Sequence, residues 1–224
     1  MSAIITAKRA DGVIMLTDGA AYDAEGIVGA IAPKVILMPQ APAALAFRGR
    51  REFHRMMLSP SIEGLTFDEL LLILPTSAKV AAEYAFADVG GRGEIVIAGW
   101  SEQRCRPEVY TLYTYQAEYR AATGKSEIAE PFTLIWNDGN YLGPKPADEL
   151  WSEFGLDALP DVERFDPMSH GIAWMQALRR DRQWLGFHGV GGYVQMSRIG
   201  PPGLDSQIIH KWPADKVGQP ILPA

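Results

Sequence analysis

The sequence predicts an α+β fold, a layered domain in which strands and helices occupy separate blocks of the chain. Asp-Gly pairs separate the first β-prone runs, and this dipeptide is a strong signal for a tight hairpin turn. Helical blocks follow, and each is succeeded by further strand-like runs. Mostly antiparallel strands with segregated helices indicate a layered α+β sandwich.

The start of the chain contains four predicted strands, at residues 4–7, 13–17, 35–38 and 43–47. Asp11-Gly12 lies between the first two strands, and Asp18-Gly19 ends the second. The chain start is therefore expected to lie in a sheet from its second or third residue onward. Because chain ends normally fray, this placement suggests that the N-terminus has a chemical role.

The middle of the chain predicts helices and then strands. Residues 50–58 favour a short helix, and Thr66 with Glu69 forms a capping box for a second helix over 67–86. We expect Pro75 to kink or split this second helix. Strand-like runs come next, at residues 94–98, 109–115 and 132–136.

The last part of the chain is predicted as a helix at 145–154, a loop at 157–167, a helix at 168–182, a glycine-rich turn at 186–192, and strands at 193–199 and 206–212. Gly155 would end the first of these helices. Residues 213–224 are rich in proline. We therefore expect a single domain over residues 1–212, followed by a proline-rich tail.

Composition and charge restrict the partners and the compartment. The net charge is −6 and no basic block occurs, which argues against nucleic acid as a partner. The single cysteine, Cys105, allows no internal disulfide and fits a reducing compartment. The longest aliphatic stretch, residues 70–74, is far shorter than the ~20 residues of a membrane span. We expect a soluble, cytoplasmic protein with no membrane partner.

Metal and cofactor motifs are not evident in the sequence. His54, His170, His188 and His210 have no metal-ligand spacing, and no cluster of cysteines or carboxylates accompanies them. The glycine-rich run at 186–192 lacks the Lys-Ser/Thr that follows a phosphate-binding loop. We therefore expect neither a metal nor a cofactor.

Ser2 is the candidate nucleophile. Removal of Met1 would give Ser2 a free α-amine with a reference pKa of about 7.7–8.0, so one residue would supply both nucleophile and base. Such a site needs a cation to lower the pKa of the amine and hydroxyl, and a carboxylate to hold that cation. Lys34 and Asp18, each at a strand end, are the candidates.

This segment resembles the start of a proteasome β-subunit, a member of the N-terminal-nucleophile (Ntn) hydrolase superfamily. In that family a mature N-terminal Thr is followed by an Asp and a Lys at the separations that join Ser2 to Asp18 and Lys34 here. Gly-Val-Ile at 12–14 and Lys-Val-Ile at 34–36 follow the family's strand pattern. Similar patterns recur later in the chain, at residues 93–100 and 171–199.

The resemblance implies a four-layer αββα sandwich and an amide hydrolase or peptidase acting on a peptide or amide substrate. It implies that Gly49 lies at the oxyanion site and that Ala20, Lys34 and Gly49 border the pocket for the substrate side chain. Asp181 sits unfavourably at a helix C-terminus, so we expect it to have a specific partner such as the Ser2 amine. The family assembles into rings, so a homo-oligomer is expected, while the ring size and any ATPase partner stay open.

Two alternatives remain open on the same scaffold. The chain could be a non-catalytic proteasome-like subunit that serves assembly or partner binding, since no accessory serine follows Asp181 where the family has one. It could also be an amidase that acts on small molecules. Ser2 in place of the family's Thr is compatible with all of these readings, because the chemistry requires only the hydroxyl and the amine.

Overall fold

A computed structural model describes the chain over residues 3–57, 64–87, 91–120, 125–137, 142–182 and 185–223. The strands are β1 (Ile4–Arg9), β2 (Gly12–Asp18), β3 (Ala20–Tyr22), β4 (Val28–Ile31), β5 (Val35–Met38), β6 (Ala43–Arg48), β7 (Glu94–Ser101), β8 (Arg106–Tyr113), β9 (Ala117–Arg120), β10 (Ser126–Ala129), β11 (Leu134–Trp136), β12 (Leu142–Gly143), β13 (Tyr193–Gly200) and β14 (Gly203–Lys211). The helices are α1 (Arg51–Met57), α2 (Phe67–Phe86), α3 (Asp148–Glu153) and α4 (Ile172–Arg180). The protein combines several antiparallel sheets with few helices, as the sequence predicts.

The first five-stranded sheet has the order β12-β1-β2-β13-β14. β1 and β2 form the predicted hairpin, with Ile4 opposite Thr17 and Asp11 in the turn. β13 pairs with the other side of β2 and places Val194 opposite Asp18. The start of β1, the end of β2 and the start of β13 therefore meet at one end of this sheet.

The second five-stranded sheet has the order β11-β8-β7-β6-β5, and every pair in it is antiparallel. The predicted strands at residues 35–38, 43–47 and 94–98 are β5, β6 and β7, so this part of the prediction is confirmed. β6 ends at Arg48, directly before Gly49. This end of β6 leads the chain to α1.

Buried apolar side chains line both faces of both sheets. One cluster joins the two sheets and contains Ile4, Val13, Met15, Val35, Ala44, Ala46, Val96, Ala98, Val109 and Ile199. A second joins α1 and α2 to the second sheet through Phe53, Met57, Phe67, Leu70, Leu74, Leu45, Ile95 and Ile97. A third joins the first sheet to α4 through Ile5, Ala7, Ile14, Leu16, Trp174, Met175, Leu178 and Met196. Neighbouring residues of one strand enter different clusters because successive side chains point to opposite faces.

Of the two predicted effects of Pro75, a kink or a split in the helix, the split is wrong, because Pro75 lies inside the continuous helix α2. Thr66 and Glu69 form the predicted capping box at its start. Buried residues continue on the sheet-facing side from Leu70 before the proline to Ala78 after it. Packing of this face against the second sheet therefore outweighs the loss of one backbone hydrogen bond at Pro75. Among the described helices none is both long and apolar enough to cross a membrane.

Helix α4 is shorter than the predicted helix over 168–182. A π-helical turn, Pro167–Gly171, precedes it, and the Asp166 carboxylate caps that turn by accepting from Met168 and Ser169 N–H at 3.3 and 2.9 Å. Short 3₁₀ turns occupy part of the predicted loop over 157–167. The sequence prediction also missed the short hairpin of β3 and β4, which borders the candidate site.

Candidate active site

Asp18, the last residue of β2, is fully buried and accepts hydrogen bonds from several sides. The Lys34 ammonium donates to both of its oxygens at 2.8 Å. The Ala3 N–H donates to Oδ1 at 3.0 Å, so this carboxylate ties the start of β1 to the lysine. Ala20 N–H and Gly191 N–H each lie 3.3 Å from Oδ2. All of these groups are donors, which complements the negative charge of an aspartate.

Lys34 lies just before β5, and only 11% of its side chain is exposed. Burial lowers the pKa of the Lys34 ammonium below 10.5, the effect of Asp18 opposes this shift, and the charge of Arg48 adds to it. A lysine with a lowered pKa gives up its proton more readily than a surface lysine. The pair therefore places a buried cation and its carboxylate beside the start of β1.

Ser2, the predicted nucleophile, lies outside the described residues, as does Met1. The next residue, Ala3, is fully buried. Its backbone N–H and the Lys34 ammonium both donate to Asp18 Oδ1. A single peptide bond joins Ser2 to that nitrogen. The Asp18–Lys34 pair therefore lies beside the residue to which Ser2 is attached.

Gly49 lies directly after β6 with a φ of +125°, a backbone conformation that favours glycine. A Cβ atom at this position would come within 2.9 Å of the Arg92 carbonyl oxygen, so a side chain does not fit. Gly49, Lys34 and Ala20 line the same cleft, which has a volume of about 570 Å³. The structure thus brings together the three residues that the sequence places around the substrate pocket.

The rim of this cleft carries both signs of charge. Arg50, Arg51, Glu52 and Asp23 are all among the residues that line it. His54 also contributes to the wall and stacks on Phe47 with 4.9 Å between ring centroids. Burial, and next the charge of Arg51, lower the pKa of His54, so its imidazole is neutral at pH 7. The lining of the cleft is therefore polar and carries both signs of charge.

Asp181 is the residue directly after α4, and its side chain is buried. Its Oδ2 atom accepts from the Ala147 N–H, at the start of α3, at 2.9 Å. Ala147 lies shortly after β12, where Gly143 pairs with Ile4 of β1. Asp181 thus has a backbone partner near the β1 edge of the sheet, and its contact with the Ser2 amine stays a prediction.

Sequence reasoning missed Gly191, since it treated the glycine-rich run only as a turn. The Gly191 carbonyl accepts from the N–H groups of Gly19 and Ala20, each at 3.0 Å, while its own N–H reaches Asp18. The sequence feature that could have indicated its role is the position of these glycines directly before a predicted strand. Only the pairing of β13 with β2 reveals that this position faces Asp18.

Metal ligation has no support in the part of the chain that the structure describes. No group of three or more His, Cys, Asp or Glu residues within it is placed to hold a metal ion. Cys105 is exposed and, at a φ of +50°, lies in the turn between β7 and β8.

The fold has a counterpart among solved structures. A mutant form of Anbu from Hyphomicrobium sp. strain MC1, a bacterial proteasome-like protein, superposes with a TM-score of 0.63. The alignment covers 96% of this chain and 90% of that chain at 11% sequence identity. This chain has a proteasome-like fold. No protein-family model matches the sequence, and no curated protein matches it.

The similarity to Anbu concerns the fold alone, because the two sequences share so few residues. The proteasome-like fold nevertheless agrees with the family that the spacing of Ser2, Asp18 and Lys34 resembles. The chemistry of this chain still has to be argued from its own residues.

Proposed function

We propose that this protein is a proteasome-like Ntn amide hydrolase, peptidase-like in its substrate, with Ser2 as nucleophile after removal of Met1. The observation that carries the proposal is the buried Asp18–Lys34 pair, whose Asp18 Oδ1 also accepts from Ala3 N–H. A buried lysine is costly to desolvate, and its position beside the chain start supports a chemical role.

In the proposed reaction the Ser2 Oγ attacks the carbonyl carbon of an amide, and the Ser2 α-amine takes the hydroxyl proton directly or through one water. The positive charge of Lys34 lowers the pKa of the amine and hydroxyl, and Asp18 holds Lys34 in place. The Gly49 N–H donates to the oxyanion, a contribution of typically about 2.7–4 kcal/mol. The protonated amine gives its proton to the leaving nitrogen, and water then hydrolyses the acyl-enzyme ester.

The three principal apolar clusters support a four-layer αββα arrangement for this enzyme. Helices α1 and α2 pack on the second sheet, the two sheets pack on each other, and α4 packs on the first sheet. The cleft beside Lys34 lies where β5, β6 and α1 meet the β3–β4 hairpin. A peptide bound there would have its scissile carbonyl between Ser2 and Gly49.

The second candidate is a non-catalytic subunit of the same fold. Two observations on Asp181 favour it. The Asp181 carboxylate accepts from the Ala147 N–H, and no accessory serine follows Asp181 in the sequence. An amidase for small molecules is a third candidate. A panel of acyl-amides tested beside fluorogenic peptides separates it from a peptidase.

Assembly, location and further partners are proposals of the same kind. We infer a homo-oligomer, as a ring or partial ring, because proteasome-like relatives form oligomers. The single cysteine and acidic composition favour a cytoplasmic location without nucleic-acid partners. Neither the ring size nor an ATPase partner follows from the chain.

The intact mass of the purified protein tests the first requirement, because only loss of Met1 exposes the Ser2 amine. A β-lactone or epoxyketone probe should then add once to the protein, with the adduct on Ser2 by peptide mapping. Ser2→Ala should reduce labelling and amide hydrolysis to background, while the matched exposed variant Ser152→Ala should react normally. Retention of Met1, or equal labelling of Ser2→Ala, would contradict the proposal and favour the non-catalytic subunit.

A further inference from the structure

Arg179 of α4 and Asp215 near the chain end form a buried ion pair. The Arg179 Nη1 and Nη2 atoms donate to the two Asp215 oxygens at 2.7 and 2.6 Å, a bidentate geometry. Only 6% of the arginine side chain and 1% of the aspartate side chain are exposed. Because a buried ion pair is often no more stabilising than apolar residues of similar volume, stability alone is a weak reason for it.

The pair holds the backbone on both sides of Gly191. Arg179 Nη1 donates to the Val190 carbonyl at 3.1 Å, and the Gly192 N–H donates to Asp215 Oδ2 at 2.7 Å. A Cβ atom on Gly191 would lie 2.5 Å from Asp215 Oδ2 and 2.9 Å from Arg179 Nη1. Residues 190–192, the Gly191 loop, therefore pack directly against the ion pair, so the position of this loop depends on that pair.

Gly191 contacts the candidate active site from its other side. Its N–H lies 3.3 Å from Asp18 Oδ2, and its carbonyl accepts from Gly19 and Ala20 N–H, each at 3.0 Å. These contacts set both the position of the Asp18 carboxylate and the path of the chain that leaves β2. A continuous set of contacts thus runs from Asp215 through the Gly191 loop and Asp18 to Lys34.

The segment after β14 adds further contacts to the same region. Trp212 N–H donates to the Gly192 carbonyl at 3.0 Å, and the Trp212 ring lies 4.8 Å from the Arg179 guanidinium carbon. Ile221, which is 2% exposed, packs in a small cluster with Ala20, a residue of the cleft wall. Trp212, Asp215 and Ile221 thus pack against the Gly191 loop and the wall of the cleft.

We propose that the Arg179–Asp215 ion pair is a positioning device, which holds Asp18 and Lys34 in their working geometry through the Gly191 loop. The segment that carries Asp215 is then part of the active-site structure. The activity readout of this inference rests on the proposed function, whereas its geometric content does not. Displacement of a catalytic group by about 1 Å can lower a rate by about 100-fold, so the effect of losing the pair is measurable.

The test compares Asp215→Asn with Asp68→Asn. Asp68 is a matched control because it is also buried, pairs with an arginine at 2.6 Å and accepts a backbone N–H. Its contacts are with Ser101, Gln103 and Arg104, away from the Gly191 loop. Both variants should lose stability. Only Asp215→Asn should lower kcat per folded molecule, by about 10- to 100-fold with little change in KM.

A second readout does not depend on activity. We expect the Lys34 pKa, followed by NMR of its side-chain carbon next to the ammonium, to rise in Asp215→Asn and to stay unchanged in Asp68→Asn. Without the ion pair, the Gly191 loop is expected to loosen and its N–H to move away from Asp18, which leaves the Asp18 charge less compensated. The looser loop also reduces the burial of Lys34. Both effects raise the pKa of Lys34. Arg179→Lys keeps the charge. It should therefore retain part of the kcat and part of the normal Lys34 pKa that are lost in Arg179→Gln.

The outcomes are distinguishable. If the wild-type protein is unreactive yet Lys34 titrates differently only in Asp215→Asn, the proposed function fails and the positioning role stands. If the wild-type protein reacts and both aspartate variants retain normal kcat and an unchanged Lys34 pKa, the positioning role is wrong. Should Asp215→Asn fail to fold, the comparison of Arg179→Lys with Arg179→Gln decides between the same results.

Discussion

Two buried carboxylate clusters in this protein pair with different cations. Asp18, at the end of β2, accepts both of its ammonium hydrogen bonds from Lys34, beside an open cleft. Glu108 on β8 accepts from Arg104, Arg106 and the Tyr110 hydroxyl, all at 2.8 to 2.9 Å. Both carboxylates are fully buried, so burial alone does not distinguish a candidate catalytic pair from a structural one.

The cation is what differs between these clusters. Burial lowers the pKa of Lys34, whereas the hydrogen bonds that Arg104 donates to Glu108 raise the pKa of Arg104, which stays charged at any physiological pH. In the second cluster burial raises the pKa of Tyr110 to about 12, with a further contribution from Glu108. The arginine cluster therefore keeps its charge firmly, whereas burial weakens the hold of Lys34 on its proton and Asp18 opposes this effect.

The largest expected effect comes from removing each cation. Lys34→Met leaves Asp18 buried without its counter-ion, so we expect a loss of about 3–5 kcal/mol in unfolding free energy. We also expect loss of about 100- to 1,000-fold in acylation rate. Arg104→Met should cost only about 1–2 kcal/mol, because its side chain is 38% exposed and Glu108 keeps Arg106 and Tyr110. Urea unfolding and probe labelling per folded molecule measure both.

The double variant Asp18→Asn/Lys34→Met separates stability from chemistry. Because it removes both charges together, much of the lost stability should return, while activity should stay at the level of Lys34→Met. Recovery of activity along with stability would mean that the pair is structural, like the Arg104 cluster.

Replacing the lysine of one cluster by arginine, and the arginine of the other by lysine, should give effects of intermediate size on activity and stability. Lys34→Arg keeps the positive charge but places a larger, planar group in a site where only 11% of the lysine side chain is exposed, so we expect acylation to slow by about 10- to 100-fold. Arg104→Lys loses the fork that reaches both Asp68 and Glu108, at a cost of about 1 kcal/mol and with normal labelling. Normal activity of Lys34→Arg would show that only the charge at this position matters.

The smallest expected effect is a difference in pH dependence. Between the lowered pKa of folded Lys34 and the higher pKa of an unfolded lysine, the unfolded chain binds more protons than the folded one. The contribution of Lys34 to unfolding free energy therefore rises with pH in this alkaline window. The slope of unfolding free energy against pH should be steeper in wild type than in Asp18→Asn/Lys34→Met, by the equivalent of at most one proton. Arg104→Met should show the same slope as wild type. A slope of the opposite sign would contradict the lowered pKa.

Several features of this fold and site could be predicted from short stretches of sequence. The Asp-Gly turn after β1, the capping box of Thr66 with Glu69 and the strands β5 to β7 depend on local backbone chemistry and hydrophobic pattern. The pairing of Asp18 with Lys34 was also predictable, since each lies at a strand end at the separation that the family pattern requires. Local patterns failed at Pro75, where packing on the second sheet kept the helix continuous.

By itself, the sequence determined the β1–β2 hairpin, the capped start of α2 and the residue types available at the chain start, because neighbours in the chain satisfy those hydrogen bonds. Only the tertiary structure decided that Gly191 donates to Asp18, a contact across 173 residues. It also decided that Asp215 reaches Arg179 and that Asp181 accepts from Ala147. Such contacts depend on which strands pair and which faces pack, and these choices minimise the exposed apolar surface of the whole chain.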